Sequence, residues 1–196
     1  MRKIDDIVSS SEKEIKETNS IKLGERAPNF ELPDLQNKQI SLKSLLHTGP
    51  LVVTFYRGSW CPYCNLALRA LQASLKDIRA LGADLIAISP EKPDNSLTND
   101  EKEALDFTVL SDQNSAVATK YGIAWTVPDF IVEHMRNDRN LNLEFINNSS
   151  ANVLPIPATF VLNTKGVVVW RYIDIDYRTR AEPSDILNAL ENLKGN

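Results

Sequence analysis

Short apolar runs alternate along this chain with longer stretches in which apolar residues recur every three or four positions. The first pattern suits strands covered on both faces, the second amphipathic helices. Leu51-Val52-Val53-Thr54-Phe55-Tyr56 and Asp84-Leu85-Ile86-Ala87-Ile88-Ser89 are two such runs. Between them Leu68, Leu71, Leu75 and Ile78 mark one face of a helix predicted over residues 62–81, closed by Gly82. Residues 107–110 predict another strand, and 115–121 a helix stopped by Gly122. Residues 159–162 and 167–172, joined by Asn163-Thr164-Lys165-Gly166, form a predicted hairpin. A last helix is predicted over 183–193.

The remaining segments are less regular. Residues 1–20 are a polar, charged extension, and 21–196 carry the single domain. Residues 23–33 form an extended, proline-punctuated entry, followed by a turn at 36–39 and a short helix announced by Ile40, Leu42, Leu45 and Leu46. A short helix is expected within the polar segment 90–104, and another over about 129–136 inside an exposed insert, 123–155. Strands alternating with helices predict an α/β fold, a central mixed β-sheet flanked by helices on both faces. A βαβ crossover makes 51–56 and 84–89 parallel neighbours.

Composition narrows the function. A formal charge of −4 gives no electrostatic reason to bind nucleic acid or an anionic membrane. The start, Met1-Arg2-Lys3-Ile4-Asp5-Asp6, lacks the apolar run of a signal peptide, and no stretch approaches the roughly 20 apolar residues of a membrane span. The two cysteines sit in one short motif, which suits a reducing compartment, so a cytoplasmic location is expected.

Those cysteines carry the chemistry. Trp60-Cys61-Pro62-Tyr63-Cys64 stands where a strand hands over to a helix N-terminus, whose unpaired N–H groups and dipole favour a thiolate. Pro62 fits the first helical turn. Cys61 is expected to cap the helix as the more exposed sulfur, with Cys64 in reach for disulfide closure. A structural zinc site needs about four ligands, and neither His47 nor His134 has ligand spacing to the pair; no metal and no cofactor are expected. Two inert apolar cysteines are the plainer reading, but Pro62 and the strand-to-helix context favour a dithiol redox centre.

Four stretches resemble the peroxiredoxin-like branch of the thioredoxin-fold superfamily, the alkyl hydroperoxide reductase/thiol-specific antioxidant group. They are the entry Leu23-Gly24-Glu25-Arg26-Ala27-Pro28-Asn29-Phe30, the loop Phe55-Tyr56-Arg57-Gly58-Ser59-Trp60-Cys61-Pro62-Tyr63-Cys64, the strand Pro155-Ile156-Pro157-Ala158-Thr159-Phe160, and the tail Asp176-Tyr177-Arg178-Thr179-Arg180. The resemblance implies a thioredoxin-like fold and a thiol-dependent peroxidase. In it Cys61, with its pKa lowered, attacks a hydroperoxide, Cys64 resolves the sulfenic acid, and a thioredoxin- or glutaredoxin-like donor reduces the disulfide. It is compatible with a homodimer. Arg57 is expected to stabilise the thiolate or bind peroxide, with a surface salt-bridged Arg as the plainer reading. Trp60 is expected to shield the sulfur and offer a docking surface, and Pro157 to be a cis-proline beside the cysteines. Arg178 and Arg180 read as a solvated or salt-bridged face.

The chain departs from the family pattern at Thr54, where a Pro is usual, at Gly58, where a hydroxyl is usual, and at Pro157, where an Arg is usual nearby. Returning a hydroxyl at Gly58 is expected to raise peroxide reactivity, provided the backbone there is not in a conformation that only glycine tolerates. Cys-Pro-Tyr-Cys itself matches glutaredoxins, so a thiol–disulfide oxidoreductase acting on protein or glutathione disulfides is the alternative. A redox-regulated binding module using the 123–155 insert comes third.

Overall fold

The computed structural model describes residues 19–93 and 105–195. Most of the expected 1–20 extension, and most of the 90–104 segment with its expected helix, lie outside the described residues. The entry gives a small hairpin, β1 (Glu31–Pro33) and β2 (Gln39–Ser41), then helix α1 (Leu42–Leu46). Next come β3 (Leu51–Phe55), α2 (Pro62–Ala80), β4 (Asp84–Ser89) and β5 (Thr108–Ser111). Helix α3 (Ala116–Lys120), β6 (Ala124–Thr126), α4 (Asp129–Arg139), α5 (Leu143–Asn147) and β7 (Val153–Pro155) follow. The chain closes with β8 (Ala158–Leu162), β9 (Val168–Ile173) and α6 (Pro183–Lys194).

The central sheet has the order β5-β4-β3-β8-β9, with β3, β4 and β5 parallel and β8 and β9 antiparallel to their neighbours. It is mixed, and β3 and β4 are parallel neighbours, as their apolar runs imply. All five residues of β3 are buried because both its faces are covered. Leu51, Val53 and Phe55 pack with Ile86, Ile88, Phe160 and the residues of α3 and α4. Val52 and Tyr56 pack on the other face with Leu68, Leu71, Leu75 and Ile78 of α2 and Ile186 and Leu190 of α6. Each such buried side chain contributes about 1.5–3 kcal/mol, which is why the three- and four-residue spacing of α2 decides which way that helix faces.

Several boundaries differ from the sequence pattern, each for a local reason. The helix expected over 115–121 begins with a 3-10 turn, Gln113–Ser115, and α3 starts at Ala116. The buried Asp112 carboxylate caps it, accepting the N–H of Val117 at 3.0 Å and of Ala118 at 2.9 Å. Helix α4 runs past Arg136 to Arg139 and stops where Asn140 turns left-handed at φ 51°. Helix α5, capped by the Asn142 side chain, is too short to show a period in the sequence. The larger correction concerns the 123–155 insert. Pairing of β6 with β7 folds it back over the sheet, and Trp125, Ile131, Val132, Leu143 and Leu154 are buried rather than exposed.

At the centre of one core face, Phe55, Tyr121 and Phe160 meet in tilted and edge contacts with ring centres 5.0, 5.3 and 6.1 Å apart. Tyr121 is fully buried and its hydroxyl has no hydrogen-bond partner among the described residues; burial pushes its pKa up. Removing an unsatisfied hydroxyl removes its desolvation cost. Tyr121→Phe is therefore expected to leave stability unchanged or raise it by about 1 kcal/mol in urea denaturation; a clear loss would show that the hydroxyl does have a partner.

Candidate active site

The site grows from the carboxyl end of β3, where an open α/β sheet leaves room beyond its strands. Tyr56 N donates to Ile88 O at 3.0 Å, extending the ladder with β4 by one residue, and the chain then leaves the sheet. Cys61 is the N-cap of α2, in an extended conformation, with Pro62 in the first turn. Its carbonyl accepts the N–H groups of Cys64 and Asn65 at 3.0 and 3.1 Å. The loop is braced from outside the motif. Glu91, 1% exposed, accepts the Ser59 N–H at 2.9 Å and the Ser59 hydroxyl at 3.0 Å, and Asn65 Nδ2 donates to Ser59 O at 2.8 Å. β4 ends beside β3, so a charged residue two positions past Ser89 was the available signal for Glu91.

The condition set for a hydroxyl at Gly58 is not met. Its φ is 149°, and a Cβ there would lie 2.3 Å from Trp60 Nε1 and 3.0 Å from Glu91 Cδ. The position requires glycine. Nor does Ser59 stand in for the missing hydroxyl, because its Oγ is bound to Glu91.

Both cysteines are free and buried, but they are not equivalent. Cys61 lines a cavity of about 210 Å³ walled by Arg57, Trp60, Tyr63, Trp125, Met135 and Tyr177, among others. Cys64 does not line it, and its exposure is 0%. Arg57 is 6% exposed, not a surface residue; its guanidinium carbon sits 4.6 Å from the Tyr177 ring centre and 5.5 Å from that of Trp125. Trp60 is half-buried, packs against both core faces and also lines the cavity. The insert supplies the far wall through Trp125 and α4, including His134, whose Nδ1 pairs with Asp138.

Two expectations are corrected here. Pro157 is buried between β7 and β8, and its neighbour Ala158 pairs with Phe55, so it lies at the loop's edge. Its peptide bond is trans, however: Ile156 N donates to Ile123 O at 2.7 Å and keeps the chain extended into β8. Pro157 does not line the cavity. The second correction is Arg180. Arg178 does pair with Asp176 at 2.8 Å on the surface, but Arg180 Nη2 donates to Cys64 Sγ at 3.1 Å. No local pattern signals a contact across 116 residues of chain.

The sulfurs titrate as a pair. Cys64 is lowered to about 6, first by the hydrogen bond from the Cys61 thiol, against its burial, and then by the charge of Arg180. Cys61 is pushed above the ordinary thiol range, first by that same hydrogen bond to Cys64 and then by burial, with Arg57 acting the other way. The shared hydrogen bond and the Arg180 guanidinium both favour negative charge on Cys64 over Cys61. The expected lowering at Cys61 is reversed, because Cys64 has the nearer cation and receives the shared proton's hydrogen bond.

A buried dithiol at the strand-to-helix junction of a mixed α/β sheet defines a thioredoxin-fold redox protein of the peroxiredoxin-like type. The chain belongs to the AhpC/TSA family, whose profile matches residues 23–171. It is 33% identical over 113 residues to peroxiredoxin Bcp of Escherichia coli, covering 58% of this chain and 71% of that one. A putative peroxiredoxin bcp of Haemophilus influenzae is 26% identical over 155 residues, 79% of this chain and 97% of the relative. Among solved structures, peroxidoxin BcpB of Mycobacterium tuberculosis superposes with a TM-score of 0.69 at 22% identity, covering 88% of this chain and 98% of that one. AhpC of Enterococcus faecalis gives 0.68 at 13%, covering 88% and 92%.

Two outcomes follow from this geometry. Gly58→Thr is expected to lower stability by about 1–3 kcal/mol through backbone strain, seen as an earlier thermal transition, with no gain in peroxide reactivity. A stable, faster variant would refute the conformational argument. The second concerns pH. Cys64 ionises in the folded reduced protein at about 6 against an ordinary 9.0. Between these values the unfolded chain binds more protons, so the reduced protein gains stability as pH rises through this window and loses it as pH falls towards 6. Above it, the raised Cys61 reverses the slope. Urea denaturation of the disulfide form, which has no thiol to titrate, should lack this dependence; equal profiles for both forms would contradict it.

Proposed function

We propose that this chain is a thiol-dependent peroxidase that reduces hydroperoxides through a Cys61/Cys64 dithiol–disulfide cycle. The observation that carries the reading is the placement of Cys61 as the sulfur facing the cavity, with Cys64 directly behind it. The family membership and the relatives named peroxiredoxin support the same class.

The cycle begins when the proton of Cys61 passes to the Cys64 thiolate along their hydrogen bond. The Cys61 thiolate then attacks one peroxide oxygen; the S–O bond forms, the O–O bond breaks, and the departing alkoxide or hydroxide takes up the proton that Cys64 received, which returns Cys64 to its thiolate. Of the arginines lining the cavity, Arg57 and Arg139, the buried Arg57 lies beside the cysteine loop and is placed to hold the peroxide oxygens and the developing charge. Cys64 next attacks the Cys61 sulfenic acid, the S–S bond forms and water leaves. Two electrons from an external dithiol, a thioredoxin- or glutaredoxin-like reductant, restore the pair. Trp60 and Tyr63 at the cavity mouth are the surface on which such a reductant would dock, and Pro157 backs the loop. The expected setting is the cytoplasm, with no nucleic-acid or membrane partner; homodimerisation is a proposal of the family likeness alone. Among the described residues no helix is long and apolar enough to cross a membrane.

A second reading, disulfide reduction on proteins or glutathione, is favoured by the Cys-Pro-Tyr-Cys motif and by the absence of a free hydroxyl at Gly58 and Ser59. One comparison separates the two: hydroperoxide consumption against insulin-disulfide reduction by the same reduced protein. Rapid peroxide loss is expected; peroxide reactivity no faster than free cysteine, with fast insulin reduction, would replace the first reading by the second.

The roles of the two sulfurs are separable by substitution. Cys61→Ser is expected to abolish turnover, whereas Cys64→Ser should still be oxidised once, with the sulfenic acid on Cys61 by mass spectrometry. Oxidation of Cys64 in the Cys61→Ser protein at the wild-type rate would exchange the roles.

A further inference from the structure

Cys64 is sealed from the cavity, yet it faces a cation. Arg180 Nη2 donates to its sulfur at 3.1 Å. The guanidinium is itself fixed, since Nη1 donates to the carbonyls of Tyr177 and Thr179 on its own turn. That turn is closed by Thr179, whose N–H and hydroxyl both donate to Asp176 O at 2.9 Å. It is seated on the cysteine loop through Tyr177, which stacks on Arg57 and meets the Tyr63 ring at 5.8 Å. The one carboxylate on the turn, Asp176, is taken by Arg178, so Arg180 keeps its second nitrogen for the sulfur.

We infer that Arg180 is a catalytic residue of the closing step, holding Cys64 as the thiolate that attacks the oxidised sulfur of Cys61. This rests on the reading above that Cys61 is the sulfur modified first. In the closing step the Cys64 electron pair forms the S–S bond, the bond from Cys61 to its leaving group breaks, and hydroxide leaves the sulfenic acid to become water on protonation. The oxidant is the hydroperoxide already consumed at Cys61. Closure cancels the charge on Cys64, so Arg180 also favours the reduced pair and makes the disulfide easier to reduce. The low pKa of Cys64 agrees with this hold. Arg180 is suited to it because a planar fork can bond two carbonyls and the sulfur at once; a lysine supplies charge without that fixation.

The closing step can be watched without peroxide. Reduced protein mixed with dithiobis(nitrobenzoate) releases one thionitrobenzoate when Cys61 is modified and a second when Cys64 closes the disulfide. In Arg180→Met the second release is expected to slow about tenfold or more, the loss of one charge-assisted hydrogen bond, and Arg180→Lys to fall between. Alongside, the ultraviolet thiolate titration of Cys64 in the Cys61→Ser background should shift to higher pH on adding Arg180→Met. Wild-type closure together with an unshifted titration would overturn the proposal. If Arg180→Met does not fold, Arg180→Lys decides: closure and titration both at wild-type values would overturn it equally. Peroxide consumption by the wild type tests the peroxidase reading separately, since neither of these measurements depends on it.

Discussion

Everything in the site depends on β3 being paired on both sides and covered on both faces. Its parallel ladder with β4 and antiparallel ladder with β8 fix where the strand stops, and so where residues 57–61 leave the sheet. The same register brings Glu91, Pro157 and the β6–β7 insert to the strand's carboxyl end, although each comes from a different part of the chain. A one-residue slip would exchange the two faces of β3 and turn Phe55 away from Tyr121 and Phe160.

On that frame the site places two buried sulfurs between two cations. Arg57 stands on the cavity side, seated between the Tyr177 and Trp125 rings, and Arg180 lies behind, on Cys64. Burial penalises a thiolate on either sulfur, and the donors around Cys64 favour charge there over Cys61. The two sulfurs differ accordingly: Cys61 lines the cavity, and Cys64 lies out of it against Arg180.

The departures from the usual family loop are mutually consistent. Gly58 adopts a backbone conformation that brings it against Trp60, and the space a side chain would fill is occupied by the Trp60 ring and the Glu91 carboxylate. Glu91 in turn consumes the Ser59 hydroxyl and N–H. In this chain a buried carboxylate holds the loop from behind, and a side chain added at Gly58 would collide with it.

The strands and helices around the motif were legible because their signals are local: a continuous apolar run, a 3.6-residue period, a Pro in the first helical turn. So were the strand-to-helix position of Cys61 and the parallel neighbours on either side of α2. The cavity-lining place of Trp60 and Arg57 could be read as far as their position in the loop, but whether Arg57 lay on the surface or in a stack could not. Short α5 and the late end of α4 fell below what periodicity resolves. The insert looked exposed because its apolar residues are spread too thinly to show a face until β6 and β7 pair. The trans bond before Pro157, the demand for glycine at position 58, the bond from Arg180 to Cys64 and the lowering of Cys64 rather than Cys61 belong to the tertiary structure alone. Each is set by atoms brought together from distant segments, and the energies that decide them, desolvation and close Coulomb contact, exist only once those segments have packed.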